Sequence, residues 1–238
     1  MKRKLWLISG LLLLILGCNN FYMICSLNPF YLEKNIILIP EVEGSWSAKP
    51  VKISTNSADS ASSKIWGIAD TTSIWKIQRV ISTEVIKTKK GIDSTTYRPE
   101  NYYTAKLFSA SDSVLYAFKV VFFYVKNSHY ADFIPFEKES LMNSKLASGS
   151  FFEMHTLARL TQIGDFAELS WLGADCMKEM IEKKRVRVNY QWVKETGRFL
   201  LTASSADLTG MIERYADQPR FIDWNAQQAR LNLSRLNK

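Results

Sequence analysis

The stretch "SIWKIQRVISTEV", Ser73 to Val85, places Trp75, Ile77, Ile81 and Val85 on one face and Lys76, Gln78, Ser82 and Glu84 on the other. A period of two over that length predicts a strand with one buried face, because successive side chains of extended chain point to opposite sides. The same signal recurs downstream. "YYTAKLF" (Tyr102 to Phe108) and "SVLYAFKVVFFYV" (Ser113 to Val125) read as strands joined by a turn at Ser109 to Asp112. The second is apolar on both faces, which predicts cover on both sides. "SFFEMHTLARLTQ" (Ser150 to Gln162) and "FAELSW" (Phe166 to Trp171) read as a hairpin about Gly164-Asp165. "VRVNYQWV" alternates cleanly, with Val186, Val188, Tyr190 and Trp192 expected inward, and "RFLLTA" follows across a tight turn at Glu195 to Gly197. Three polar or irregular stretches are expected as loops: Ser54 to Lys64, Thr88 to Asn101 and Asp132 to Ser140. In the last of these Phe133, Ile134 and Phe136 are expected to pack in the ordinary way, with a lid over a pocket or a partner contact as the alternative.

Helical spacing interrupts this pattern late in the chain. Leu172, Cys176, Met177, Met180 and Ile181 predict a helix at about 172–184. Ser204, with Asp207 three residues on, resembles a capping box ahead of Leu208, Met211, Ile212 and Tyr215, predicting a helix at about 205–216. The tail "DWNAQQARLNLSRL" (Asp223 to Leu236) is expected to be a third helix, about 224–236. The fold class expected is mainly β, or α+β: an antiparallel meander of about eight or nine strands, closed into a barrel or strongly curved, with two or three short helices. Seven Trp, ten Tyr and thirteen Phe in 238 residues agree with a β-rich interior. The length suits a single domain, taken as 41–238.

The N-terminus has the layout of a secretory signal: Lys2, Arg3 and Lys4, then an apolar run from Leu5 to Leu16. That run is short of the roughly 20 residues that a membrane helix needs. It ends at "ILGC", Ile15 to Cys18, which resembles the bacterial lipobox, although Leu16 departs from the small residue usual there. The resemblance implies a signal peptide at 1–17, cleavage before Cys18, acylation of Cys18, and a lipidated tether at 18–40. Asn19 behind the cysteine then favours the outer membrane. The alternative is an uncleaved anchor from Leu5 to Cys25, which would bury Asn19 and Asn20 in hydrocarbon at a cost. Net charge is +8, falling to +5 without the three leading basic residues, and the rest are dispersed apart from Lys87 to Lys90 and Lys183 to Arg187. These groups are expected first as solvated faces; as a contact surface in an envelope protein they suit anionic lipid or polysaccharide rather than DNA, and no nucleic-acid partner is expected. Cys25 and Cys176 are expected to remain thiols.

Gly44-Ser45-Trp46 resembles the Gly-x-Trp of lipocalin-like barrels. That resemblance implies a Trp at the closed end and a pocket for an apolar ligand lined by Trp46, Tyr103, Phe118, Phe122, Tyr190 and Trp192. A wider similarity, carried by "SLNPFY", "GSW", "FFEMHTLARL" and "LLTASSADLTGMIERYADQPRFI", is to uncharacterised bacterial envelope lipoproteins, and implies location and domain extent only. No nucleophile elbow, zinc motif, Cys-x-x-Cys or phosphate loop is present, so neither metal nor cofactor is expected. His155, near Glu153 and Arg159, is the candidate base. Three functions follow as expectations: a lipid-anchored envelope protein binding an apolar ligand, a glycan or an envelope partner without chemistry; an envelope hydrolase using His155; and a structural assembly subunit held by an uncleaved anchor.

Overall fold

A computed structural model describes residues 23–51, 73–87, 93–108, 114–135, 153–161, 163–193, 198–227 and 229–236. Among these residues eleven strands are present: β1 (Cys25–Ser26), β2 (Gly44–Pro50), β3 (Ser73–Lys87), β4 (Asp93–Phe108), β5 (Val114–Val125), β6 (Ser128–Pro135), β7 (His155–Thr161), β8 (Phe166–Trp171), β9 (Tyr190–Val193), β10 (Arg198–Leu201) and β11 (Arg230–Arg235). Two α-helices accompany them among the described residues, α1 (Ala174–Glu182) and α2 (Ser205–Tyr215). Strands β2, β3, β4, β5, β6, β7, β8 and β11 form a closed antiparallel ring, sealed by the β6–β7 and β11–β2 pairings. Closure removes the sheet edges that an open meander would expose. The mainly antiparallel fold expected from the alternation is the fold observed.

Alternation explains the two cores. Phe118, Val120 and Phe122 of β5 point into the ring beside Trp46, Trp75, Tyr103, Phe133 and Trp171. Phe123 and Val125 of the same strand face outward into a second core with Tyr130, Leu157, Phe30, Met177, Leu208 and Ile212. The double-faced β5 is therefore covered on both sides, as its sequence requires. The outer cover is supplied by the helices, by the N-terminal arm, and by β1, β10 and β9, which branch from the start of β7. Helix α2 begins as its sequence demands: Ser204 Oγ accepts from the Asp207 amide at 3.2 Å and donates to its carboxylate at 2.7 Å.

Four expectations are corrected. The tail is not a third helix: a 3₁₀ turn at Trp224–Ala226 leads into β11, where Leu231 and Leu233 are buried inside the ring and Asn232 faces out. β11 pairs with β2 and β8 at once, and ring closure outweighs the helix propensity of its Arg and Leu residues. The loop expected at Thr88 to Asn101 is, from Asp93 onward, the first half of β4, which extends the β3–β4 ribbon to Lys87↔Asp93. Asp132 to Pro135 belongs to β6 and not to a loop, with Phe133 and Ile134 packed and buried as expected; Phe136 lies outside the described residues. The tether does not reach residue 40. From Met23 the chain is already structured: Met23 bridges Gly173, Phe30 lies in the outer core, and Ile39 and Val42 close one end of the ring. The stretch Ser54 to Lys64 and the lipobox lie outside the described residues.

At that closed end Trp46 Nε1 donates to the Val42 carbonyl at 2.8 Å, and the Arg235 guanidinium stacks on its indole at 4.4 Å. Gly44 makes this crossing possible, since it sits at φ +132° and a Cβ there would come within 3.0 Å of Arg235 Nη1.

Candidate functional site

The ring interior holds four of the six residues expected to line an apolar pocket: Trp46, Tyr103, Phe118 and Phe122. They fill it. Phe118 stacks on Trp75 at 6.0 Å, Tyr103 meets Phe122 edge-on at 5.2 Å, and Phe133 lies 5.1 Å from Trp171. The residual cavity is about 10 Å³, room for one water at most. Trp75 Nε1 and Trp171 Nε1 are buried there without an acceptor, so the interior offers two donors and no space for a ligand that would use them. Tyr190 and Trp192 are not part of this lining. They stand on β9, the outer edge of the branch sheet, 43% and 40% exposed. Their alternation marked the strand correctly, but an edge strand has no second layer to bury it.

His155 begins β7 on the outer wall of the ring. It is 3% exposed, and its Nδ1 lies 2.9 Å from Oδ2 of Asp132, which is fully buried. The same Oδ2 accepts from the Phe30 amide at 3.2 Å. Burial pushes the Asp132 carboxyl above its usual range, opposed by hydrogen bonding and charge from His155 and by the Phe30 amide. Burial, with Asp132, Glu153 and Glu33 adding to it, raises the adjacent Tyr31 phenol to about 12. The register sets Ser26 of β1 opposite His155, so Ser, His and Asp do gather. Yet the Ser26 hydroxyl serves the backbone, accepting from the Asn28 amide at 3.1 Å. The cluster clasps the N-terminal arm to the ring: Asn28 donates to the Ala203 carbonyl at 2.9 Å, and Thr209 to that of Phe30 at 3.2 Å.

A larger concavity lies outside the ring. A cleft of about 500 Å³ runs between the outer wall of β6, β7 and β8 and the segment Ala216–Asn225 that follows α2. Cross-strand register builds its floor, with Arg159 opposite Ser170 and Ser170 opposite Arg230. Arg159 Nη2 donates to Ser128 Oγ at 2.9 Å, and Ser128 in turn donates to Asp217 at 2.9 Å. Arg159 and Asp217 are 3.6 Å apart, and Arg159 Nε is buried without an acceptor. Along the floor Arg230 donates twice to Glu168, at 3.1 and 2.7 Å, and Ser170 donates to the same carboxylate. Trp224 stands at the lip, its Nε1 fixed to the Ala216 carbonyl at 2.8 Å. Tyr130 lies behind Ser128; burial and Asp217 push its phenol to about 12, against Arg159 and Ser128.

Glu168 and Asp217 thus each face a guanidinium, while Asp223 accepts from the Asn225 and Ala226 amides, so the cleft presents fixed donors and acceptors with a slight acidic balance. No single sequence motif announces it, because Ser128, Arg159, Glu168 and Asp217 come from four separate segments. Among the described residues no group of three or more His, Cys, Asp or Glu could hold a metal ion, and no helix is long and apolar enough to cross a membrane. Cys176 is a thiol whose Sγ approaches the Phe221 carbonyl at 3.7 Å, and burial raises its pKa. Cys18 lies outside the described residues. Comparison with known protein families, with curated proteins and with solved structures finds no match.

Proposed function

We propose that this chain is a lipid-anchored cell-envelope protein, held by acyl chains on Cys18, that binds a neutral, hydroxyl-rich ligand of the glycan class without transforming it. The observation that carries the reading is the contrast in space: about 10 Å³ inside the ring against about 500 Å³ in the outer cleft. A filled interior leaves the ring as a rigid frame, and sites on rigid elements hold polar groups in fixed geometry. Sugar hydroxyls both donate and accept, which suits a surface where Arg159, Ser128 and Asp217 already satisfy one another and Glu168 is held by Arg230 and Ser170. A strongly anionic ligand would have to displace Asp217 or Glu168 from its guanidinium. The hydrolase reading loses its support from geometry, since His155 is 3% exposed and spends Nδ1 on Asp132.

The test is a titration of isotope-labelled protein with neutral oligosaccharides, reading amide shifts in the wild type and in Asp217→Asn. Shifts confined to Ser128, Arg159 and the Ala216–Asn225 segment, and reduced in the variant, support the proposal. Shifts on the ring interior with a fatty acid, and none in the cleft, refute it. Intact-mass analysis of the membrane-extracted chain beside Cys18→Ala tests the anchor separately.

A further inference from the structure

We propose that β9 and the end of α1 form a second contact with the membrane, docking on anionic lipid headgroups and setting the orientation of the barrel. The inference rests on the Cys18 anchor. Five residue steps separate Cys18 from Met23, a reach of about 18 Å at full extension. Met23 is bridged to Gly173 at the start of α1, the Ile24 amide donates to the Leu172 carbonyl at 2.9 Å, and Cys25 lies in register with Leu200 of β10. The α1–β10–β9 quarter of the molecule therefore lies on the anchor's side, beside the start of β7.

That quarter carries an interfacial set of side chains. Trp192 is the exposed tryptophan among the described residues, since Trp46, Trp75, Trp171 and Trp224 are buried. Its ring packs on Phe199 at 4.6 Å and Lys178 Nζ stands 5.9 Å above it, which ties β9 to α1. Tyr190 is exposed two residues before it on the same strand. Lys178, Lys183, Lys184, Arg185 and Arg187 are all exposed, against the acids Asp175, Glu179 and Glu182 on the same stretch. Glu179 is already engaged by Lys183 and Arg185 and lies below the usual carboxylate range because of Lys183. Trp and Tyr sit at headgroup level and Lys and Arg are drawn to an anionic leaflet, so the two features complement one surface.

The experiment places the membrane-extracted, full-chain protein in vesicles brominated near the headgroup, with phosphatidylglycerol or with phosphatidylcholine alone. The expected result is a quenched share of tryptophan emission in the anionic vesicles that is lost in Trp192→Phe and reduced in Arg187→Gln. Circular dichroism checks that both variants fold; both positions are exposed. Equal quenching in wild type and Trp192→Phe, or crosslinking of β9 to a protein instead, overturns the proposal. An acylated chain without Trp192-dependent quenching refutes the docking and leaves the anchor standing. Trp192-dependent quenching of a chain without acyl groups does the reverse.

Discussion

Phe133→Ala is the sharpest probe of a filled ring. Phe133 is buried against three rings, with centroids 6.2 Å from Trp75, 6.0 Å from Phe118 and 5.1 Å from Trp171. Removing a buried Phe costs about 3–5 kcal/mol, part transfer and part cavity. For a chain of this size that lowers the melting temperature by on the order of 10 °C. The new hole would be apolar and dry, so benzene should occupy it and return about 2.7 kcal/mol at roughly 100 times its dissociation constant. Urea unfolding and thermal melts, each with and without benzene, measure both numbers. Wild type should not respond, because its interior void is about 10 Å³. A wild-type melting temperature raised by benzene or a fatty acid would refute the reasoning. So would a Phe133→Ala loss below about 1 kcal/mol, typical of less tightly packed sites.

Asp132→Ala strands the Phe30 amide and the His155 imidazole in the protein interior, and should cost about 3–5 kcal/mol, as breaking a buried pair does; amide exchange at Phe30 should rise more than exchange in β3. Tyr130→Phe should leave stability at pH 7 within about 1 kcal/mol of wild type, since the buried phenol makes no well-aligned hydrogen bond and Ser128 is its one weak partner among the described side chains. Its folded pKa of about 12 lies above the ordinary 10.0, so the folded state keeps a proton that the unfolded chain loses. Stability therefore falls as pH rises from about 10 to 12, by about 2–3 kcal/mol for this group, and the variant's pH-dependent melts should show a shallower alkaline decline. Tyr31, also near 12, keeps part of the decline in place.

Much of the architecture was legible where a local pattern of side chains suffices to define the element. The alternation at Trp75 and Ile77, the doubly apolar β5, the hairpin about Gly164 and the cap at Ser204 all describe local facts that the fold obeys. The misreadings share a cause. Leu231 and Leu233 carried a period-two signal, but it was short and set among good helix formers, and only the vacancy between β2 and β8 decides it. The arm from Met23 to Val42 has no period at all: its core residues Ile24, Phe30, Ile39 and Val42 are spaced by turns, so nothing local distinguishes it from a tether. Tyr190 and Trp192 show the opposite limit, since alternation reports a strand and not what lies on either side of it. The cleft was invisible because its groups meet only through cross-strand register and the return of the Ala216–Asn225 segment over the outer wall.

The meeting of distant segments has a kinetic consequence. Ser26 reaches Leu201 across 175 residues, and Arg235 donates to the Glu41 carbonyl across 194. Such high contact order places folding in the millisecond-to-second range, slower than local hairpins form. β11 has partners on both sides, so β2 and β8 stay unjoined until it arrives, and the remaining strands have no stable halfway ring to rest in. Opening and closing should then be nearly all-or-none, with the amides of β2 and β11 exchanging only when the whole ring comes apart.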